Sequence, residues 1–214
     1  MGIKLSVIIP VLNQADLIRI GLDSIPASPK IETIVVDDGS SDGTLNSVQD
    51  YIQEHPDKTI RTFRFEDNRG TSCAVNQGLE MAQGEYVVLL GSDGDYFVKD
   101  FLTRAVNYWL DGKADLVYFD LIDNNKHIRR LSPRTKFKYV GAVKFMRRAF
   151  IGKIRCPEEM RRAEDVVFTQ QLLAKNPKER YIGQVGKHYN YPREGSLTWK
   201  YLHGQTDYSG NTLK

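Results

Sequence analysis

Between Lys4 and Leu121 the chain alternates short apolar runs with amphipathic stretches, and this alternation restricts the fold more than any other property of the sequence. Lys4-Leu-Ser-Val-Ile-Ile-Pro10 and Ile31 to Val36 are β-branched and largely uninterrupted by charge, the pattern of strands covered on both faces. Between them Leu17, Ile18, Gly21, Leu22 and Ile25 recur at helical spacing, with Asn13 placed as N-cap and Pro26 as the stop. Further helices are expected at about Asp42 to Glu54, Ser72 to Ala82 (with Gly84 as a left-handed stop) and Lys99 to Leu110. The intervening strands are Ile60 to Phe65, 85 to 90 and Asp115 to Leu121. Strands separated by helices pair in parallel through right-handed crossovers, so the expected architecture is α/β, a mostly parallel sheet flanked by helices in a single domain over 1–214. Beyond Leu121 the regularity fades: a polar, basic loop from Asn124 to Lys138, a helix from Val140 to Phe150, another from Glu164-Asp165 through Leu173, and an aromatic, irregular end from Tyr181.

The segment Val87-Val-Leu-Leu-Gly-Ser-Asp-Gly-Asp95 runs a buried strand straight into a turn with two carboxylates. In an open α/β sheet, ligands bind at the carboxyl ends of the strands. Two acids held close there repel each other unless a divalent cation sits between them and an anion such as a diphosphate. The simpler reading is an acidic turn that caps the following helix.

No apolar run approaches the ~20 residues of a membrane span, and Met1-Gly2-Ile3-Lys4 leads directly into a strand, so a cytoplasmic location is expected. Cys73 and Cys156 match no metal-binding spacing and suit a reducing compartment. Charge is unevenly spread. From Lys126 to Arg162 thirteen Lys or Arg face only Glu158 and Glu159, a local balance of +11, which leaves −8 for the rest of a chain whose total is +3. The basic stretch reads as a solvated face, as a site of peripheral membrane contact, or as the seat of a polyanionic partner such as nucleic acid or a phosphate-rich polymer.

Five motifs in order then carry a family resemblance: Ser6-Val-Ile-Ile-Pro-Val-Leu-Asn13, Val36-Asp-Asp-Gly-Ser-Ser-Asp-Gly-Thr44, Asn68-Arg-Gly-Thr-Ser with Asn76, the acidic turn at 93 to 95, and Glu164-Asp165. Over residues 3 to about 174 the chain resembles the inverting family 2 glycosyltransferases of the GT-A fold. That resemblance implies a nucleotide-binding half over about 1–92 and an acceptor-binding half over about 93–214. It places Pro10, Val11, Asn13, Asp38, Gly70, Asp93 and Arg193 at the nucleotide, with Asp38 accepting from the N3–H of a uracil. It places Asp93 and Asp95 at a Mn²⁺ or Mg²⁺ ion, Asp165 as general base, and Glu164 and Trp199 at the acceptor.

Each assignment has a plainer alternative: Pro10 ends a strand, Asn13 caps, Asp38 belongs to an Asx turn, and Glu164-Asp165 is ordinary charge at a helix start. The sequence also departs from the family. An extra residue sits in the acidic turn, where relatives carry Asp-Ser-Asp-Asp before an aromatic, so either Asp93 or Asp95 is the direct metal ligand. Val75 stands where relatives often carry an arginine that assists the nucleotide. His188 or His203 offers a further nitrogen donor, although a lone histidine is more often structural.

The expected activity is inverting transfer from a nucleotide sugar, with UDP as the expected carrier, to a glycan or polyanionic acceptor. A nucleotidyltransferase would want a glycine-rich, basic loop after the first strand, which Pro10-Val11-Leu12-Asn13 is not. A non-catalytic carbohydrate or nucleic-acid binding module is the alternative that the altered acidic turn favours.

Overall fold

The structure is a computed structural model and describes residues 2–135, 141–160, 163–191 and 193–194. In chain order the elements are β1 (Leu5–Val11), α1 (Ile18–Asp23), β2 (Ile31–Asp37), α2 (Thr44–Glu54), β3 (Thr59–Arg64), α3 (Thr71–Met81), β4 (Tyr86–Leu89) and β5 (Tyr96–Phe97). They continue with α4 (Phe101–Arg104), β6 (Leu116–Asp123), β7 (Ile128–Arg129), β8 (Lys144–Arg147), α5 (Arg148–Ile151), α6 (Glu164–Leu173) and β9 (Glu179–Tyr189). One sheet runs β3-β2-β1-β4-β8-β6-β9-β5, with β7 paired to β6. The pairs β1/β2, β2/β3, β1/β4 and β6/β9 are parallel, whereas β8 is antiparallel to both β4 and β6.

Alternation along the strands divides the core between the two faces of the sheet. Val7, Ile9, Val35 and Val88 pack with Ile18 and Leu22 of α1, Val48 of α2 and Phe101 of α4. Ile8, Ile34, Val36 and Val87 pack on the other face with Ala74 and Leu79 of α3 and Phe168 and Leu172 of α6. Pro10 is tolerated in a central strand because the β1/β4 ladder ends at Ile8 opposite Leu89, so that neighbour asks no N–H of it.

Four local expectations change. Helix α1 begins at Ile18, because Asn13 takes a left-handed backbone (φ 52°) and its side chain accepts from the Ser41 N–H instead of capping a helix. Gly84 is no left-handed stop; a Cβ there would lie 2.6 Å from Ser6 N, so the glycine admits close approach to β1. Where a helix is expected from Val140 to Phe150, the described residues form a short 3-10 turn (Gly141–Val143), then β8, whose Phe145 and Met146 enter opposite cores with strand alternation, and the one-turn helix α5 (Arg148–Ile151). Tyr181 to Tyr189 belong to β9, an eleven-residue strand (Glu179–Tyr189) that the register to β6 draws into the sheet.

Candidate active site

The parallel strands deliver their following turns to one edge of the sheet, and those turns are stitched together. The Asn13 N–H donates to Ser40 Oγ at 2.9 Å, and the Gln14 N–H donates to Thr44 Oγ1 at 2.8 Å. Val11 O accepts from the Asp38 N–H at 2.8 Å. Asp38 is buried; its Oδ1 accepts from the Arg69 N–H at 2.7 Å and its Oδ2 from the Gly70 N–H at 2.8 Å. Pro10, Val11, Asn13, Asp38 and Gly70 therefore form one connected rim. Asp38 shapes the loop at 68–70 through both oxygens, each of which keeps a second lone pair.

The acidic turn is built by β9 as much as by β4. Asp95 is buried, pairs with Lys187 Nζ at 2.8 Å and accepts the Asn190 N–H at 2.9 Å. The Asn190 side chain donates to the Asp93 carbonyl at 2.8 Å, which holds the turn whose Gly94 takes φ 92°. Asp93 is the more open acid: its side chain is 32% exposed, with Arg193 Nη2 3.4 Å from Oδ2. Both carboxylates converge over Gly91, since a Cβ there would lie 3.0 Å from Asp93 Oδ1 and 3.0 Å from Asp95 Oδ2. Burial first, and the Asp95 charge second, push the Asp93 carboxyl above its ordinary range despite Arg193.

This pair of hard oxygen donors fits a Mg²⁺- or Mn²⁺-class ion. Among the described residues no group of three or more His, Cys, Asp or Glu side chains converges, so the rest of a coordination shell would come from substrate oxygens and water. His188 stacks on Tyr96 with centroids 4.6 Å apart, and its Nδ1 is buried without a hydrogen-bond partner among the described residues.

Glu164 and Asp165 open α6, where carboxylates meet the positive end of the helix. The segment ahead of α6, at Cys156 and Glu158, is anchored to α3. Asn76 Nδ2 donates to Cys156 O at 2.9 Å and to Glu158 Oε1 at 3.0 Å, and Asn76 Oδ1 accepts the Cys156 N–H at 2.8 Å. Burial, and then the charges of Glu164 and Asp165, push the Cys156 thiol up to about 12. Lys144 on β8 is wholly buried; burial brings its ammonium down to about 7 against the pull of Asp165 and Glu179.

Sequence reading passes over Lys144, Lys187, Asn190 and the Asn76–Cys156 clasp; the available signal is a lone lysine inside an otherwise apolar strand pattern. Trp199 and His203 lie outside the described residues. A pocket of about 560 Å³ between α1 and the β5–α4 segment is lined by none of the expected site residues.

Residues 6–167 match the description Glycosyl transferase family 2. The chain belongs to that family. It is 28% identical over 213 residues to the poly(ribitol-phosphate) beta-glucosyltransferase of Bacillus spizizenii, covering 90% of this chain and 33% of that protein. It is 39% identical over 108 residues to the putative teichuronic acid biosynthesis glycosyltransferase TuaG of Bacillus subtilis, covering 50% of this chain and 42% of the relative. Crystalline S. aureus TarS 1-349 in complex with UDP-GlcNAc superposes with a TM-score of 0.79 at 26% identity, over 91% of this chain and 60% of that one. The family 2 chain thus has the GT-A architecture and spans a third to two fifths of the length of these two curated relatives. Among the described residues no helix is long and apolar enough to cross a membrane.

Proposed function

We propose that the protein transfers a sugar from a UDP-sugar, with inversion, to a hydroxyl of a phosphate-rich glycopolymer. The observation that carries this reading is the acidic turn, where Asp93 and Asp95 converge over Gly91 at the carboxyl edge of the parallel strands. The UDP-GlcNAc complex of TarS supports a UDP-sugar as donor. The rim from Pro10 to Asn13, with Asp38 and Gly70, receives the nucleoside, and the free lone pairs of Asp38 face an imide donor.

Asp93 supplies the open carboxylate for a divalent metal. Asp95 adds the second negative charge and, through Lys187 and Asn190, fixes the turn. When bound, the metal stabilises negative charge on the departing diphosphate. Arg193 serves as phosphate clamp: its Nε is buried with no hydrogen-bond partner among the described residues, a donor for which a phosphate oxygen is the natural acceptor. The acceptor hydroxyl attacks the anomeric carbon opposite the leaving group and yields its proton to Asp165 as the new bond forms. Glu164 and Trp199 face the acceptor in this reading, which assigns about 1–92 to the nucleotide and about 93–214 to the acceptor.

For the acceptor, the name of the Bacillus spizizenii relative favours a glycopolymer over nucleic acid. Arg130 and Arg134 provide exposed positive charge. Turnover should be assayed over a panel of nucleotide sugars with and without Mn²⁺, alongside calorimetry with UDP. Metal-dependent UDP binding and consumption of one UDP-sugar is the expected result. Failure of every nucleotide to bind in a metal-dependent way overturns the reading in favour of a binding module.

A further inference from the structure

Two cations of the chain itself sit on the acidic turn. Lys187 Nζ lies 2.8 Å from Asp95 Oδ2, deep in the interior. Arg193 Nη2 lies 3.4 Å from Asp93 Oδ2 in a more open position, the two side chains being 27% and 32% exposed. The lysine reaches the turn because β9 pairs with β5, which follows the turn directly: Phe97 stands opposite Lys187 and Tyr96 opposite His188. Both oxygens of Asp95 are taken up, Oδ1 by the Asn190 N–H at 2.9 Å and Oδ2 by Lys187. That Oδ2 is also the oxygen that converges with Asp93 Oδ1 over Gly91. Of the two converging oxygens, one is therefore already held by an ammonium.

Oxygen sites hold a hard divalent cation with an affinity that depends on how many negative charges their ligands bring. Here two carboxylates are matched by two cations of the chain, so the turn offers such an ion almost no net charge. A diphosphate brings both the missing charge and further oxygens. Arg193 is suited to share its charge with that group, because its Nε is buried with no hydrogen-bond partner among the described residues.

We infer that Lys187 and Arg193 set the metal affinity of the acidic turn, cancelling its charge so that a divalent cation is bound only together with a nucleoside diphosphate. The inference rests on the reading of that turn as the metal site. Lys187 acts through Asp95 and is a positioning residue; Arg193 acts through Asp93 and shares its charge with the diphosphate when that group binds. The coupling is reciprocal: the factor by which the ion tightens UDP equals the factor by which UDP tightens the ion. Removing either chain cation leaves a negative charge uncompensated, and affinity for the ion alone rises.

The test is Mn²⁺ binding to the parent, to Arg193→Gln and to Lys187→Met, read from the paramagnetic resonance of the free ion with and without UDP, alongside melting temperatures with and without Mn²⁺ at constant ionic strength. The parent is expected to bind Mn²⁺ alone no more tightly than about 1 mM, the weak end for oxygen sites, and at least about tenfold more tightly with UDP. Arg193→Gln should bind Mn²⁺ alone about tenfold more tightly than the parent, the lower end of what one charge within a few ångströms does to the proton affinity of a carboxylate. An arginine that served only as phosphate clamp would leave the affinity for the ion alone unchanged. Lys187→Met should melt below the parent and recover part of that loss on addition of Mn²⁺, whereas the parent without UDP should not respond. A lysine that merely tied β9 to the turn would give a loss that Mn²⁺ does not repair. Where Lys187→Met does not fold, Arg193→Gln decides alone. A parent that holds Mn²⁺ as tightly without UDP as with it, or an Arg193→Gln protein with the parent's affinity for the ion alone, overturns the inference. If the parent takes up no Mn²⁺ even with UDP, the metal reading of the turn fails and this inference with it; if UDP recruits Mn²⁺ to the parent and the variants bind the ion alone no better, only the role of the two cations is refuted.

Discussion

Lys187 Nζ lies 2.8 Å from Asp95 Oδ2, and each of the two side chains is 3% exposed. The pair joins β9 to the turn after β4 across 92 positions of sequence. Removing one member strands the other charge in the interior. Lys187→Met should therefore destabilise the protein by about 3–5 kcal/mol, read as a lower urea midpoint. The double variant Asp95→Leu with Lys187→Met should lose less than the sum of the two single changes, since no unpaired charge remains.

Asp93 shows the opposite balance. Burial and the Asp95 charge oppose its ionisation, so Asp93→Asn should leave thermal stability equal or slightly higher. Metal-dependent UDP binding should fall by at least about tenfold, because the open carboxylate is gone. Calorimetry with UDP in the presence and absence of Mn²⁺ reads this, and an unchanged metal dependence would remove Asp93 from the metal site.

Asp165→Asn should keep the affinity for UDP while kcat falls by about 10²–10⁴-fold, the range associated with loss of a general base. Parallel loss of nucleotide binding would reassign Asp165 to the donor site.

On the basic stretch, Arg129 is already engaged, with Nη2 3.4 Å from Asp123 Oδ2 and its guanidinium 5.5 Å from the centroid of the Tyr191 ring. Arg130 and Arg134 are the exposed charges to neutralise. Replacing both with Gln should raise KM for a polyanionic acceptor at low salt, by about 0.5–1 kcal/mol per residue, with donor KM unchanged. The difference from the parent should close as salt approaches about 1 M, where charges more than a few ångströms apart are screened.

At the opposite end of β6, burial alone would raise the Asp115 carboxyl, but the Lys178 N–H and the Arg147 guanidinium outweigh it and hold it below the ordinary range. A carboxyl lowered by folding contributes stability that is present above its unfolded value, about 3.9, and is lost as pH falls through the folded one. Between pH 4 and more acidic conditions the melting temperature of the parent should drop, and Asp115→Asn should show a shallower drop over the same window.

The parallel half was legible because β1, β2 and β4 carry buried apolar runs rich in β-branched residues, bounded by turn residues. The last third was not, for a reason visible in two residues. Lys144 and Lys187 are buried lysines in strands, and the carboxylates that act on them, Asp165 and Glu179 for the first and Asp95 for the second, are distant in sequence. Without them Val140 to Phe150 has an apolar spacing that suits a helix, and the segment after Tyr181 has no evident period. Asp38 teaches the same lesson at the site. Its position after β2 places it on the rim at the strand ends, whereas the Arg69 and Gly70 amides that donate to its two oxygens lie 31 and 32 residues further on.

The Asn190 contacts to Asp93 and Asp95 span 97 and 95 positions. A nascent chain emerging from the ribosome can complete β1 to β4 and the first core long before those contacts exist. The acidic turn then waits, unshaped, for β9 to arrive. A chain interrupted near residue 180 would lack Lys187 and Asn190, and with them the contacts that shape the acidic turn.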